Sequence, residues 1–368
     1  MTPAVLTEEQ KIVLAALTHK FSELGFAVRP LGDITVGPVI SIYRFVPQGN
    51  TRVAQMEKMA DDFSVMLGQE VFVKRMPGEA AVSVAVPNKE RSVVNWKQTM
   101  TEVWKYYHAH PTHIPLGFGV DYLGKPFIEN LTALPHLLIA GSTGGGKSFL
   151  MNGILASLIY TMPTDRLQLV LSDTKQVEFT HFVGAPHLLF PPATTVFQTL
   201  EQMEWLVQTT EDRLTTIAKG GARNIHELNA SGRGNLPYII LVIDELGNIL
   251  GGSSKSKSGE AKLAEAKLEK IVSLSRATGI YVIGATQRPS GDVVKGVIKA
   301  NFPARLTFRL PSDVDSKYAI NDSGAERLQA QGDMLYVSSV RPGLHRLHSP
   351  FIELSDIRGA VEAAIMKG

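Results

Sequence analysis

Two periodicities divide the chain. From Thr7 to Leu24 apolar positions return every three to four residues, the spacing that keeps one helix face against a core. VISIYRFVP (Val39 to Pro47) then alternates with a period of two, as a half-buried strand does. Helical spacing resumes over Val53 to Met66, and the runs EVFVKRM and AAVSVAVPN, parted by Pro77-Gly78, read as two more strands. The first hundred residues therefore predict a small α/β unit, of the kind that serves interaction or ring building, with no catalytic motif. A polar, aromatic passage from Val93 to Thr112 follows and reads as a connection. Its HAHPTH run carries His108, His110 and His113, which invites a metal reading. No carboxylate or cysteine lies nearby and Pro111 splits the spacing, so a solvated linker is the better expectation.

Beyond it one theme repeats. Five apolar segments, HLLIA, LQLVLSD, YIILVIDE, IYVIGATQ and ARLTFRL, each end in polar or glycine-rich residues, and helical segments separate the first four. Near-continuous apolar strands alternating with helices predict a parallel sheet covered on both faces. Ligands of such sheets sit at the carboxyl ends of the strands. Gly141, Asp173, Asp244-Glu245 and Thr286-Gln287 all fall there. The segment from Gly251 to Lys270 departs from the theme. It opens as a Gly/Ser/Lys loop and closes as a helix with a doubled EAKL.

Composition narrows the class. The chain has 368 residues, 44% hydrophobic and 20% charged, enough for two ordinary domains, or one large one, of a soluble folded protein. It has no cysteine, which excludes disulfides, thiolate metal sites and a thiol nucleophile. Glu8 and Glu9 stand where a signal peptide would be basic, and no apolar run reaches the ~20 residues that span a bilayer, so a cytoplasmic protein without membrane contact is expected. The net charge of +2 does not announce a nucleic-acid partner. Between Arg288 and Arg309, however, five basic residues (Arg288, Lys295, Lys299, Arg305, Arg309) face one acid, Asp292, a local footprint that suits either a phosphate backbone or a solvated face.

The chemistry concentrates in HLLIAGSTGGGKSFLMNGILASLIY, His136 to Tyr160. It matches G-x-x-x-x-G-K-S, with Gly141, Ser142, Thr143, Gly144, Gly145, Gly146, Lys147 and Ser148. Small residues let backbone N–H groups surround phosphate oxygens, and the positive end of the following helix adds to the field. Lys147 is then placed to neutralise the β- and γ-phosphates of ATP, and Ser148 to give its hydroxyl to Mg²⁺. At the end of YIILVIDEL, Asp244 would support Mg²⁺ through water and Glu245 would orient and deprotonate the attacking water. Gln287 at the end of IYVIGATQ could sense the γ-phosphate, or merely satisfy local backbone groups. Arg276 closes a helix before Gly279. It is either an ordinary cation at a helix C-terminus or, in an oligomer, an arginine finger acting across a subunit boundary.

Taken together, GPVISIYRF, PHLLIAGSTGGGKS, SDTKQVEF, GAPHLL, YIILVIDEL, RATGIYVIGATQRPSGDVVKGVIKANFPARLTF and GAERLQAQGDMLY resemble, in order, the motor region of the FtsK/SpoIIIE family of DNA translocases. The resemblance implies a RecA-like P-loop ATPase core with a mainly parallel central sheet over residues 106–368, behind a smaller N-terminal α/β domain over residues 1–105. It implies a homo-oligomeric ring, a hexamer, with double-stranded DNA in its channel and ATP at subunit boundaries. Under it Gln287 takes the sensor position, Arg276 the trans-acting arginine, and Arg288, Lys299 and Lys317 the basic DNA contacts of the channel loops. Asp313 and Asp315 make the last of these loops acidic for a phosphate binder. The family's membrane-spanning region and C-terminal winged-helix module have no counterpart here, so an excised motor or a shorter relative is expected. The family's Asp-Pro-Lys reads Asp173-Thr174-Lys175, and Gly251 to Glu260 looks like an insertion. Conjugation-coupling and viral DNA-packaging ATPases share the phosphate loop and the Asp-Glu strand, but a full ATQRP…IKAN block is not expected of them. A nucleotide-gated DNA clamp that does not travel is the rival of another class.

Overall fold

The computed structural model describes residues 6–37, 40–76, 80–89, 92–251, 259–294 and 296–367. They form two compact units: residues up to Val93 together with the turn Asp121–Lys125, and the remainder from Val94 onward.

In the first unit α1 (Glu8–Glu23) precedes β1 (Val28–Val36), β2 (Ile40–Pro47), α2 (Val53–Glu57), α3 (Ala60–Leu67), β3 (Phe72–Arg75) and β4 (Val82–Pro87). Thr7 starts α1 with a reciprocal capping box to Gln10. The strands make one antiparallel sheet in the order β1-β2-β4-β3. Leu17 and Phe21 of α1, Met56 of α2 and Phe63 of α3 bury themselves with Phe45, Val82 and Val84 of the sheet. Two elements differ from the sequence expectation. The helix read over Val53 to Met66 is two helices, because Lys58 and Met59 tighten into i→i−3 turns, with N–H bonds of 3.2 and 3.1 Å to Gln55 and Met56. β1 is an unforeseen strand: Pro30, Gly32 and Asp33 discourage a strand, and the register slips there between Pro30 and Ile34 on a sheet edge.

The second unit begins with α4 (Trp96–Ala109), which replaces the expected linker. Asn95 caps it by accepting from the Lys97 N–H at 2.8 Å. Trp96, Thr99 and Val103 form its buried stripe. There follow β5 (Pro115–Asp121), β6 (Pro126–Asn130), β7 (His136–Ala140), α5 (Lys147–Thr161), β8 (Leu167–Ser172), α6 (Val196–Lys219), α7 (Ile225–Ala230), β9 (Tyr238–Ile243), α8 (Leu246–Leu250), α9 (Gly259–Thr278), β10 (Ile280–Thr286), α10 (Val297–Asn301), β11 (Ala304–Thr307), α11 (Asp313–Ile320), β12 (Asp333–Val337), β13 (His345–His348) and α12 (Leu354–Lys367). Nine strands join in the order β6-β5-β13-β12-β11-β7-β10-β9-β8.

From β11 to β8 every neighbour is parallel, while β6 on β5, β12 on β11 and β13 on β12 run antiparallel. β7, β9 and β10 are buried along their whole length, which accounts for their uninterrupted apolar runs. Leu137 and Ile139 face a core shared with Leu150, Ile154 and Leu158 of α5 and Val361 of α12. Leu138 faces the other side, packed with Leu206 of α6 and Leu268 and Ile271 of α9. Each such side chain contributes about 1.5–3 kcal/mol by leaving water. α4 is pinned by Trp96, whose Nε1–H donates to the Gly153 carbonyl and the Ser157 hydroxyl of α5, both at 3.0 Å. No helix among the described residues is long and apolar enough to cross a membrane.

Candidate functional site

The carboxyl ends of the parallel strands gather the predicted chemistry. The loop after β7 turns with Gly144 at φ +80° and Gly146 at φ +118°, backbone angles that side chains resist. It also lies on Phe308: a Cβ at Gly141 would fall 2.8 Å from that ring's Cβ, and one at Gly146 2.9 Å from its Cε1. Among the described residues no protein acceptor takes the N–H of Gly144, Gly146 or Lys147. Those donors lie at the N-terminus of the fifteen-residue α5.

Lys147 is only 4% exposed, and its ammonium makes one hydrogen bond, 2.9 Å to the backbone carbonyl of Asp244. Burial pulls its pKa below the usual lysine range, against the attraction of Asp244, Glu245 and Glu178. Asp244, 1% exposed, leaves Oδ1 with no partner among the described residues. Burial raises its pKa to about 6, which the nearby charge of Lys147 only partly offsets. Glu245 is held on all sides. Its Oε1 accepts from the Thr286 hydroxyl at 2.8 Å, its Oε2 from the Gln287 N–H at 3.2 Å and from Lys175 Nζ at 3.1 Å. The Gln287 side chain reaches the phosphate loop, accepting from Thr143 Oγ1 at 3.3 Å.

These observations test whether the residues suit a nucleotide and its divalent cation. The unpaired N–H groups, the buried ammonium on a lone carbonyl and the partnerless carboxylate oxygen all lack the partners that buried polar groups normally have. A triphosphate with a cation supplies charges of both signs at such a place, so the residues fit. No cluster of three or more histidine, cysteine or acidic side chains suited to a resident metal occurs among the described residues.

The sequence assigns Glu178 no role beyond its place in the SDTKQVEF run. Ser148 Oγ donates to Glu178 Oε1 at 2.5 Å, and the loop bearing Glu178 is organised by Asp173, whose carboxylate accepts from the N–H of Val177, Glu178 and Phe179 at 3.3, 2.9 and 2.9 Å. The SDTKQVEF run showed an acid and a lysine near a strand end; nothing in its spacing showed which atoms they would meet.

The other predicted residues lie apart. Arg276 is exposed at the end of α9, before β10, whereas Gln287 follows β10. Seven strand residues span about 20 Å, so Arg276 stands at the amino end of the parallel strands, opposite the end that carries the phosphate loop of its own chain. Arg288, Lys299 and Arg309 are exposed. Arg305 is not part of a surface patch. It is 3% exposed and spends its guanidinium on the carbonyls of Phe302 and Lys299 at 3.0 Å each and on Asn321 at 3.3 Å. Lys295 and most of the Gly251 to Glu260 segment lie outside the described residues. Lys317 is exposed and pairs with Asp313 at 2.6 Å within α11. The three histidines of HAHPTH bind protein groups: His108 and His110 meet the Trp104 and Tyr106 carbonyls at 2.9 and 3.1 Å, and His113 the Tyr106 hydroxyl at 3.0 Å.

Comparison with known proteins gives the family and the fold. The profile of the FtsK/SpoIIIE family matches residues 103–291, and that of the FtsK alpha domain residues 4–88. The chain is 34% identical to the DNA translocase FtsK of Helicobacter pylori (strain 26695) over 332 residues, 89% of this chain and 38% of the relative. It is 33% identical to the DNA translocase FtsK of Borreliella burgdorferi over 338 residues, 90% of this chain and 42% of the relative. The chain thus spans about two fifths of the length of these curated relatives. Among solved structures, the pCW3 conjugation coupling protein TcpA, in a monomer form with ATPgS, superposes with a TM-score of 0.67 at 21% identity, covering 97% of this chain and 100% of TcpA. The cytoplasmic domain of the Type VII secretion ATPase EccC of Thermomonospora curvata gives a TM-score of 0.58 at 21% identity, over 69% of this chain and 31% of EccC. The fold is that of the P-loop ATPases.

Proposed function

Because the chain belongs to the FtsK/SpoIIIE family, we propose that it is an ATP-driven translocase of double-stranded DNA that works as a ring of identical copies, a hexamer. The observation that carries the reading is the buried cluster at the strand ends, where Lys147 has a single carbonyl, and Asp244 Oδ1 and the loop N–H groups have no partner among the described residues, while Glu245 is fixed in place. Family membership supplies the coupling to DNA: relatives over most of this chain bear the name DNA translocase.

The glycine loop and Lys147 bind the triphosphate, with Lys147 exchanging the Asp244 carbonyl for phosphate oxygens. Ser148 and Asp244 are the residues that would hold Mg²⁺, the latter through water, and the cation when bound supplies charge neutralisation at the phosphates. Glu245 orients the attacking water and accepts its proton. Thr286, the Gln287 N–H and Lys175 keep that carboxylate aimed. Gln287, in contact with Thr143 at 3.3 Å, passes the state of the loop into the segment that carries Arg288.

Arg276 acts on a neighbouring copy's nucleotide. Its position at the amino end of β10, a strand's length of about 20 Å from the end that carries its own phosphate loop, supports this. Opening and closing of successive interfaces then moves Arg288 and Lys299 along the duplex backbone, where they grip phosphates without reading sequence. Lys317 is a lesser contact, because its ammonium is already shared with Asp313.

The test is ATP turnover with and without long linear duplex over a range of salt. Turnover should rise several-fold with duplex, and the rise should fade as salt replaces the released counterions. A slow rate indifferent to duplex at every salt concentration would overturn the reading.

A further inference from the structure

We propose that Glu178 is the positioning carboxylate that makes Ser148 a ligand for the nucleotide's divalent cation, an inference that rests on the ATPase reading above. A serine hydroxyl has one hydrogen to give and two lone pairs to offer. Ser148 gives its hydrogen to Glu178 Oε1 at 2.5 Å, a short bond of the kind an ionised acceptor makes. With the hydrogen committed there, the remaining lone pairs of Oγ are free for a cation, and the carboxylate behind the hydroxyl makes that oxygen a better donor of electrons. Groups standing behind metal ligands in this way fix their orientation and raise their basicity.

Glu178 is placed for the task. Its own N–H is bound at 2.9 Å by Asp173, a residue 1% exposed at the end of β8, and the next residue, Phe179, is fully buried and bound to the same carboxylate at 2.9 Å. Gln176, at φ +58°, turns the chain so that the N–H groups of Val177, Glu178 and Phe179 converge on Asp173. A surface acid would not need such an anchor. Asp244, whose charge acts on Lys147 together with that of Glu178, leaves its buried Oδ1 without a partner among the described residues, an independent sign that a cation completes the cluster.

The experiment measures binding of a fluorescent ADP analogue, first in EDTA and then during titration with Mg²⁺, for the wild type, Glu178→Ala, Glu178→Gln, Ser148→Ala and the Ser148→Ala/Glu178→Ala double variant. Glu178→Ala should leave binding in EDTA close to wild type and raise the half-saturating Mg²⁺ by about tenfold or more. Glu178→Gln, which keeps an acceptor for the hydroxyl, should lie between. In the Ser148→Ala background the removal of Glu178 should have no further effect, since its role runs through the missing hydroxyl. An unchanged or lower Mg²⁺ midpoint in Glu178→Ala overturns the proposal. So does an effect that persists in the Ser148→Ala background, which would mean that the carboxylate meets the cation directly. If the wild type itself binds no nucleotide, or binds it without regard to Mg²⁺, the ATPase reading fails along with the inference.

Discussion

The two ends of the same parallel strands treat buried charge in opposite ways. At the amino ends the basic groups are tied down. Arg213, pulled down to about 10 by burial, donates to the carbonyls of Thr278 and Pro237 at 2.8 and 2.7 Å. His136 accepts from the Val282 N–H at 3.0 Å and meets the Val272 carbonyl at 3.2 Å, and burial holds its pKa down at about 4, so it stays neutral. At the carboxyl ends Lys147 has one carbonyl and Asp244 leaves an oxygen unpaired among the described residues. Both ends are buried, so burial alone does not mark a site. The difference is whether the fold itself completes the hydrogen bonds. Where it does, a charged residue holds elements together; where it does not, the protein holds a partly satisfied group in readiness for a ligand.

That contrast can be broken or sharpened by substitution. The largest effect is expected for Lys147→Ala, which should reduce ATP turnover by about a thousandfold, in the range of losing a principal electrostatic stabiliser, with thermal unfolding little changed. Retained turnover would mean that the ammonium has another purpose. Arg213→Ala should act in the opposite sense: it removes the donor from one buried and one part-buried carbonyl and should cost about 3 kcal/mol of stability, read from denaturant midpoints.

Asp244→Asn separates stability from activity. The folded-state pKa of about 6 lies above the ordinary 3.8, so the carboxyl favours the fold most below pH 3.8 and that contribution is lost as pH rises towards 6. The neutral amide escapes this loss. Nucleotide-free Asp244→Asn should therefore be more stable than wild type at pH 8, by about 1–3 kcal/mol, with the gain vanishing near pH 4. It should also lose turnover. A destabilised variant at pH 8 would contradict the account of that carboxylate.

The smallest effect concerns an exception at the amino ends. The hydroxyl of Tyr281 is buried without a partner among the described residues, and burial raises its pKa. Tyr281→Phe removes only that hydroxyl and should leave stability unchanged or raise it by up to about 1 kcal/mol. A clear loss of stability would show that the hydroxyl is satisfied after all.

Much of this was legible in the sequence, for reasons that differ by region. The parallel strands announce themselves because burial on both faces demands apolar runs, and the phosphate loop because its backbone angles and its contact with Phe308 exclude side chains. Helix α4 was hidden. Its buried stripe of Trp96, Thr99 and Val103 is narrow, and the polar residues around it read as a linker until Trp96 is seen bonded to α5. β1 was hidden by a bulge that tolerates Pro30 and Gly32. Arg305 counted as surface charge because a one-dimensional tally of cations cannot tell a snorkelling guanidinium from one spent on carbonyls. Glu178 and Lys175 were invisible as site residues because their partners, Ser148 and Glu245, are thirty and seventy positions away.

The claim that the strand-end cluster drives movement along DNA is tested most directly by displacement of a third strand from a linear duplex. With ATP and Mg²⁺ the wild type should strip a bound triplex-forming strand, and Lys147→Ala should leave it in place. A protein that hydrolyses ATP on duplex DNA yet never displaces the third strand would be a clamp, and that result would contradict the account.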